Sequence, residues 1–293
     1  MSIVAIVRNK LLIKNHKKPN MDIDTITGFG DEWQRFTQAS LSATEKEKIF
    51  HDYFHLFPWD LLPDHGGVGL DVGCGSGRWA TIVAPRVGML HCIDASAMAL
   101  EVARINLMAF RNVQMHHASV DDMPIPDESL DFAYSLGVLH HVPDTMAAVR
   151  SISRKLKPGA PFLIYLYYAF DGRPFWFRWI WRMSDVVRHC ISRLPKFLKY
   201  IFSQIIAICI YWPLSRIGEI LDKVGYLPGS WPLSYYRNKS FYVMRTDALD
   251  RFGTKLEKRF TRSEIEAILC SAGFTSIKFS ELPPYWCAVG IKT

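Results

Sequence analysis

Residues 67–78 read Gly67-Val68-Gly69-Leu70-Asp71-Val72-Gly73-Cys74-Gly75-Ser76-Gly77-Arg78. Val68–Val72 has the length and composition of a buried strand, and an acid sits near its end. Glycines follow at every second position, before a short helix expected over Arg78–Pro85. Glycine lets the main chain turn tightly and lets a ligand approach the backbone where any Cβ would collide. The helix start adds free N–H groups and a positive dipole end, which suit a carboxylate or phosphate. The dinucleotide pattern GxGxxG would want its third glycine at position 78, where Arg78 stands.

Working outward, the chain alternates. Strands are expected at Met89–Ile93, Val113–His117, Asp131–Leu136 and Pro161–Tyr167, with helices from Ser96 to about Phe110 and over Thr145–Leu156. This alternation implies a parallel, doubly wound sheet. Asp94 closes the second strand, where a carboxylate can accept both hydroxyls of a ribose. The competing reading makes Asp94 the cap of the next helix. Alternation stops between about Ala169 and Gly253, and resumes at Thr261-Arg262-Ser263-Glu264, a helix-start signature. That helix runs to Gly273, and two strands, Ser276–Ser280 and Trp286–Ile291, follow around Leu282-Pro283-Pro284.

The GxGxG spacing, with an acid two residues before it, resembles motif I of class I S-adenosylmethionine-dependent methyltransferases. Three further segments resemble the family in its order. His117-Ala118-Ser119-Val120-Asp121-Asp122-Met123-Pro124 is similar to the adenine-cradling GDAxxLP segment, with Ser119 where the acid usually stands and Asp121 able to compensate. Ser129 to Val142, with Leu139-His140-His141-Val142, resembles the fourth-strand segment of the type-11 group. Gly28-Phe29-Gly30-Asp31-Glu32-Trp33 looks like the Phe-Gly-x-x-Trp segment that some relatives fold over the cofactor.

The resemblance implies a Rossmann-like α/β fold of seven strands in the order 3-2-1-4-5-7-6, with a helical, aromatic-rich insert after strand five. It implies S-adenosylmethionine as cofactor, S-adenosylhomocysteine as product, and no metal. The cofactor-binding residues it points to are Asp71, Gly73, Cys74, Gly75, Gly77, Arg78, Asp94, Ala95, Ser119, Val120, Ser135 and Leu136. Arg78 would pair with the cofactor carboxylate, the alternative being a solvated first-turn arginine. Phe29 and Trp33 would form a lid, where an aromatic face stabilises a sulfonium; for Trp33 a packing role is the alternative. No catalytic residue is legible. His140 and His141 are the candidates for a general base, since histidine titrates near neutrality, against a structural role at the helix start.

Composition sets the rest. Hydrophobic residues make up 49% and charged residues 22% of the 293 residues, which excludes a disordered chain. The six cysteines form no CxxC pair, so the expectation is a reducing, cytoplasmic setting without a zinc site. The formal charge of +7 is uneven. Residues 1–20 carry five basic residues and no acid, and form a basic tail expected to be disordered, with Met21 an alternative start. Residues 21–66 are expected to form a helical cap segment, residues 67–168 and 255–293 the core, and residues 169–254 the insert.

Asp171 to Arg216 adds eight basic residues against two acids. Its longest uncharged run, Tyr200–Ser215, is 16 residues and holds Gln204 and Pro213, short of the roughly 20 that span a bilayer. The expected role of the insert is a lid that packs its apolar side on the sheet. The alternative is peripheral contact with an anionic membrane through 173–216, at the inner face, with Arg173, Arg178, Arg182 and Arg188 meeting headgroups. Nucleic acid is not expected as a partner. Leu282-Pro283-Pro284-Tyr285 reads as a turn, and His51 and His55, four apart on a helix, as packing residues. The expected reaction is in-line methyl transfer to an oxygen, nitrogen or carbon atom of a small or lipid-linked acceptor. The alternatives are methylation of RNA or protein, a non-catalytic cofactor-binding module, or an NAD-dependent oxidoreductase.

Overall fold

A computed structural model describes residues 20–293; the expectations for the basic tail fall on residues outside these. Seven strands, β1 (Val68–Val72), β2 (Met89–Asp94), β3 (Val113–His117), β4 (Phe132–Leu136), β5 (Pro161–Tyr165), β6 (Phe274–Phe279) and β7 (Cys287–Lys292), form one sheet. Their order is β3-β2-β1-β4-β5-β7-β6, as expected. The first five are parallel. β7 runs antiparallel to both β5 and β6, a departure from an all-parallel sheet. The short loop between β6 and β7 cannot make the long crossover that parallel neighbours need.

Helices α1 (Ile23–Arg35), α2 (Ala43–Phe54), α3 (Ala80–Val83), α4 (Ala97–Leu107) and α5 (Thr145–Lys155) precede β5, and α10 (Arg262–Ser271) precedes β6. Strand side chains alternate between the two faces. Leu70, Val72 and Ile164 face α5 and α10, where Val149, Ile152, Ile265 and Leu269 meet them. Phe132, Tyr134 and Leu163 face the other way, onto Phe50 and Phe54 of α2, Val83 of α3 and Leu100 of α4. The Phe132 ring lies directly on Gly69, where an added Cβ would come within 1.9 Å of the ring. Thr261 and Glu264 form the expected capping box at the start of α10.

Between β5 and α10 lie α6 (Phe175–Ile191), α7 (Lys196–Ile206), α8 (Trp212–Lys223) and α9 (Phe241–Gly253). A π-helical turn over Ala207–Tyr211 joins α7 to α8, so the helix runs unbroken from Lys196 to Lys223, 28 residues. Pro213 explains the wider turn, because its ring collides with the carbonyl four residues back in a regular helix. The length expectation is therefore corrected: by length and composition alone this helix could cross a membrane. It lies instead along α9, with Ala207 and Tyr211 packed on Met244, Ala248 and Phe252.

Other expectations are also corrected. Asn20, assigned to the tail, is buried. Its amide side chain donates to the Asp144 carbonyl and accepts from the Asp144 N–H, and its own N–H donates to Asp121. His51 and His55 are exposed on α2 and are not packing residues. Arg188 is 3% exposed and donates to Asp185 and to the carbonyls of Thr254 and Lys255. Arg173 donates to the Tyr168 hydroxyl and the Gly229 carbonyl. Both are engaged inside the protein, so neither offers a free guanidinium to a headgroup.

Candidate active site

The glycine-rich turn after β1 is fixed from two sides. The N–H groups of Gly73 and Cys74 both donate to the Ile93 carbonyl at the end of β2, at 2.8 and 3.0 Å. Asp94 Oδ2 accepts from the Gly75 N–H at 2.9 Å, and its Oδ1 accepts from the Ser96 N–H at 2.8 Å. Ser96, not Asp94, caps α4. The capping alternative for Asp94 is thereby overturned, and its carboxylate ties two loops together beside the cavity. Burial raises its pKa, and the two N–H groups work against that rise.

A cavity of about 140 Å³, open to solvent on one side, lies at the carboxyl ends of β1, β2 and β4. Gly73, Cys74, Arg78, Asp94, Ala95, Ser119, Val120 and Leu136 line it, as do Phe29 and Trp33 from α1. Asp71, Gly75, Gly77 and Ser135 do not. Asp71 accepts from the Tyr134 hydroxyl at 2.9 Å, and burial pushes its carboxyl to about 8, against the effect of that bond. Ser135 donates to the Val72 carbonyl. Gly75 lies under the lid: its φ is +54°, and an added Cβ would stand 2.8 Å from the Trp33 indole. Ser119 donates to Asp121 at 2.7 Å.

Two residues that line this space each carry a buried polar atom, Ser76 Oγ and Arg78 Nε, with no hydrogen-bond partner in the protein. A buried donor without a partner is costly, and both suit the carboxylate of an amino-acid ligand. Asn20, Thr25 and Ile26 also line the cavity and were not legible from sequence. Nothing in their local pattern marks them; only the docking of α1 on α4 brings them there.

Behind His141, which borders the cavity, lies a polar cluster of which sequence reading named only His140 and His141. His140 is fully buried, with its ring centroid 3.8 Å from that of Tyr167 and 4.0 Å from that of His141. It does not border the cavity. Burial lowers the pKa of both imidazoles, that of His141 to about 4. His141 Nδ1 lies 2.6 Å from the Leu256 carbonyl, so that nitrogen carries the proton. The free Nε2 faces Asp250 Oδ1 at 3.7 Å. Tyr167 donates to the other oxygen of Asp250.

Burial pushes the Asp250 carboxyl to about 7, with the Tyr167 bond opposing and Glu257 reinforcing. One turn away, Asp247 is raised to about 6 by burial, against Arg78. Glu32 of α1 is raised well above its usual range by burial, then by Asp250 and Asp247. Burial acts on Glu257 too, but Arg259 at 2.8 Å and Arg251 at 3.1 Å outweigh it and hold its carboxyl down. The sequence signal was two acids three apart in a helix otherwise rich in apolar residues.

Comparison with known proteins bears on this geometry. A family model described as a methyltransferase domain matches residues 70–164. A demethylmenaquinone methyltransferase of Staphylococcus aureus is 34% identical over 103 residues, covering 34% of this chain and 43% of the relative. The chain thus spans less than half the length of the curated relatives it matches. Among solved structures, the methyltransferase component of a complex with a Haloferax volcanii methyltransferase activator superposes with a TM-score of 0.50 at 14% identity. That match covers 90% of this chain and 96% of the other. A Thermotoga maritima S-adenosylmethionine-dependent methyltransferase, described as a possible histamine N-methyltransferase, gives 0.44 at 18% identity, over 90% and 100%.

Proposed function

We propose that the protein transfers a methyl group from S-adenosylmethionine to a small or lipid-linked acceptor, a reading supported by the match of residues 70–164 to a methyltransferase domain. The observation that carries this reading is the cavity itself: the glycine turn, Asp94 and Ser119-Val120 converge on one space that α1 covers with Phe29 and Trp33. When bound, S-adenosylmethionine supplies a methyl carbon on a positively charged sulfur, open to in-line attack by an oxygen, nitrogen or carbon nucleophile.

The residues divide the work of holding it. Arg78 and Ser76, whose polar atoms lack partners, take the carboxylate of the methionine part. Asp94 takes the ribose hydroxyls, and Ser119 with the Val120 N–H takes the adenine. Phe29 and Trp33 exclude water, so that alignment and desolvation do most of the catalysis. On the acceptor side we assign proton removal to Nε2 of His141, which borders the cavity, with the proton passed on to Asp250, held by Tyr167 and facing that nitrogen. A carboxyl raised to about 7 is a competent base at neutral pH. His140 is too enclosed for that task. A lipid-linked acceptor is supported by the relative named demethylmenaquinone methyltransferase. We place the protein in the cytoplasm at the inner face of the membrane, a setting compatible with such an acceptor.

Calorimetric titration tests the reading. The full chain should bind S-adenosylhomocysteine and S-adenosylmethionine in preference to NAD. Binding of NAD alone would overturn it in favour of an oxidoreductase.

A further inference from the structure

The insert is built inside out. From Lys196 to Lys223 the buried residues are small or polar, Ser203, Ala207, Ser215 and Gly218, apart from Tyr211, and Ile206, partly buried, packs beside them. Ser203 and Ser215 satisfy their hydroxyls on carbonyls of their own helix, those of Tyr200 and Trp212. The opposite side carries Phe197, Phe202, Ile205, Ile208, Trp212 and Ile220, all exposed, with Ile208 at 55%. Only 17% of the most apolar stretch of this helix is buried.

α6 repeats the arrangement. Arg188 and Ile191 are buried, while Trp176, Trp179, Ile180, Met183 and Val187 are exposed at helical spacing. An apolar stripe normally turns toward the core. Exposed apolar patches of this extent mark a surface that something else covers.

Charge identifies the occupant. Between Arg173 and Lys199 seven basic residues stand against the single acid Asp185, and Asp185 is already paired with Arg188 and His189. Arg178 and Arg182, one turn apart, run along one edge of the α6 stripe. They and Lys196 are exposed, and among the described residues none of the three enters a salt bridge. Tryptophans and aliphatic side chains bordered by unpaired cations suit a lipid interface, where rings and chains enter the acyl boundary and arginines meet phosphates.

We infer that the outer faces of α6 and α7–α8 together form a docking surface for an anionic bilayer, which seats the protein on the membrane without crossing it. A crossing would strip Gln204 and Tyr200 from Arg245, which donates to both. This deepens the peripheral setting given above but holds for any acceptor.

Cosedimentation of the full chain with vesicles tests it. The protein should pellet with vesicles of phosphatidylcholine and phosphatidylglycerol in equal parts at low salt, and bind pure phosphatidylcholine more weakly. The variant Arg178→Gln/Arg182→Gln/Lys196→Gln should lose on the order of a hundredfold on the anionic vesicles at low salt, with each cation contributing. The variant Trp179→Ser/Phe202→Ser/Ile208→Ser should lose at least about a hundredfold at every ionic strength, through lost apolar burial. Both variants should keep the wild-type melting point and affinity for S-adenosylhomocysteine. Wild-type protein that stays in the supernatant with anionic vesicles at low salt overturns the inference. So does a stable wild-type dimer that ignores vesicles and becomes monomeric in the serine variant, which gives the face to a second copy. Failure to bind S-adenosylhomocysteine would overturn the methyltransferase reading and leave the vesicle result standing.

Discussion

Two helices of this chain carry apolar residues at the same helical spacing and turn them in opposite directions. In α10, Ile265, Ile268 and Leu269 are buried against the sheet. In α6, Trp176, Trp179, Ile180 and Met183 face outward, and the guanidinium of Arg188 faces in. Periodicity reports that one face of a helix must be covered. It does not say by what. α10 leads within a few residues into β6 and packs its stripe on the sheet. α6 follows β5 but packs on α9, whose facing surface carries polar groups such as Arg251.

Substitutions on the two sides of this contrast should differ sharply. The largest effect is expected in the core: Phe132→Ala empties the space over Gly69 and should cost about 3–5 kcal/mol in denaturant unfolding. A loss below about 1 kcal/mol would mean that the sheet face collapses around the gap.

Asp250 probes the inner side of the insert. Its carboxyl has a pKa of about 7 in the folded protein, against a reference value of 3.8. The folded state therefore holds a proton that the unfolded state has lost, and stability falls as pH rises from about 4 through 7. Asp250→Asn removes that penalty, which amounts to about 2–4 kcal/mol above neutrality as an order of magnitude. The variant should be the more stable protein at alkaline pH, and the gap should close toward pH 4. Parallel stability profiles for the two proteins would show that Asp250 ionises freely.

In the cavity, Asp94→Ala should weaken S-adenosylhomocysteine binding by about 1.5–3 kcal/mol, the worth of hydrogen bonds to a charged group. An unchanged dissociation constant would confine Asp94 to tying Gly75 and Ser96. At the edge of the same cavity, Asn20→Ala removes bonds to Asp144 and should lower stability by about 1 kcal/mol. A chain beginning at Met21 should show at least that deficit, because it also loses the Asn20 N–H donated to Asp121. The smallest effect belongs to the outside of the insert, where Ile208→Ser should change folding stability by no more than about 0.5 kcal/mol in the absence of membrane. A loss comparable to that of Phe132→Ala would show that this face is covered within the protein, and the contrast between the two regions would fail.

The core was largely legible. Strand β1, the turn after it and Asp94 announced themselves because a buried strand, a glycine turn and a strand-ending acid are local features with local physical causes. The roles of Asp71 and Gly75 were less so. Both stand in the motif, yet the Asp71 carboxylate points to Tyr134, and Gly75 is needed to pass beneath Trp33. Motif membership fixes where a residue sits along the chain, and the neighbours brought by folding decide what it touches.

The sequence by itself determined the order of elements, the sheet, the site of the glycine turn and the cap of α10. Each follows from side-chain periodicity, backbone freedom or capping within a few residues. Only the tertiary structure decided that α1 closes the cavity, that Glu32, Asp247 and Asp250 meet in one buried cluster, and that Arg188 faces inward while Trp179 faces out. Those outcomes depend on which surfaces remain uncovered after the sheet has taken its helices, and no window of neighbouring residues contains that information.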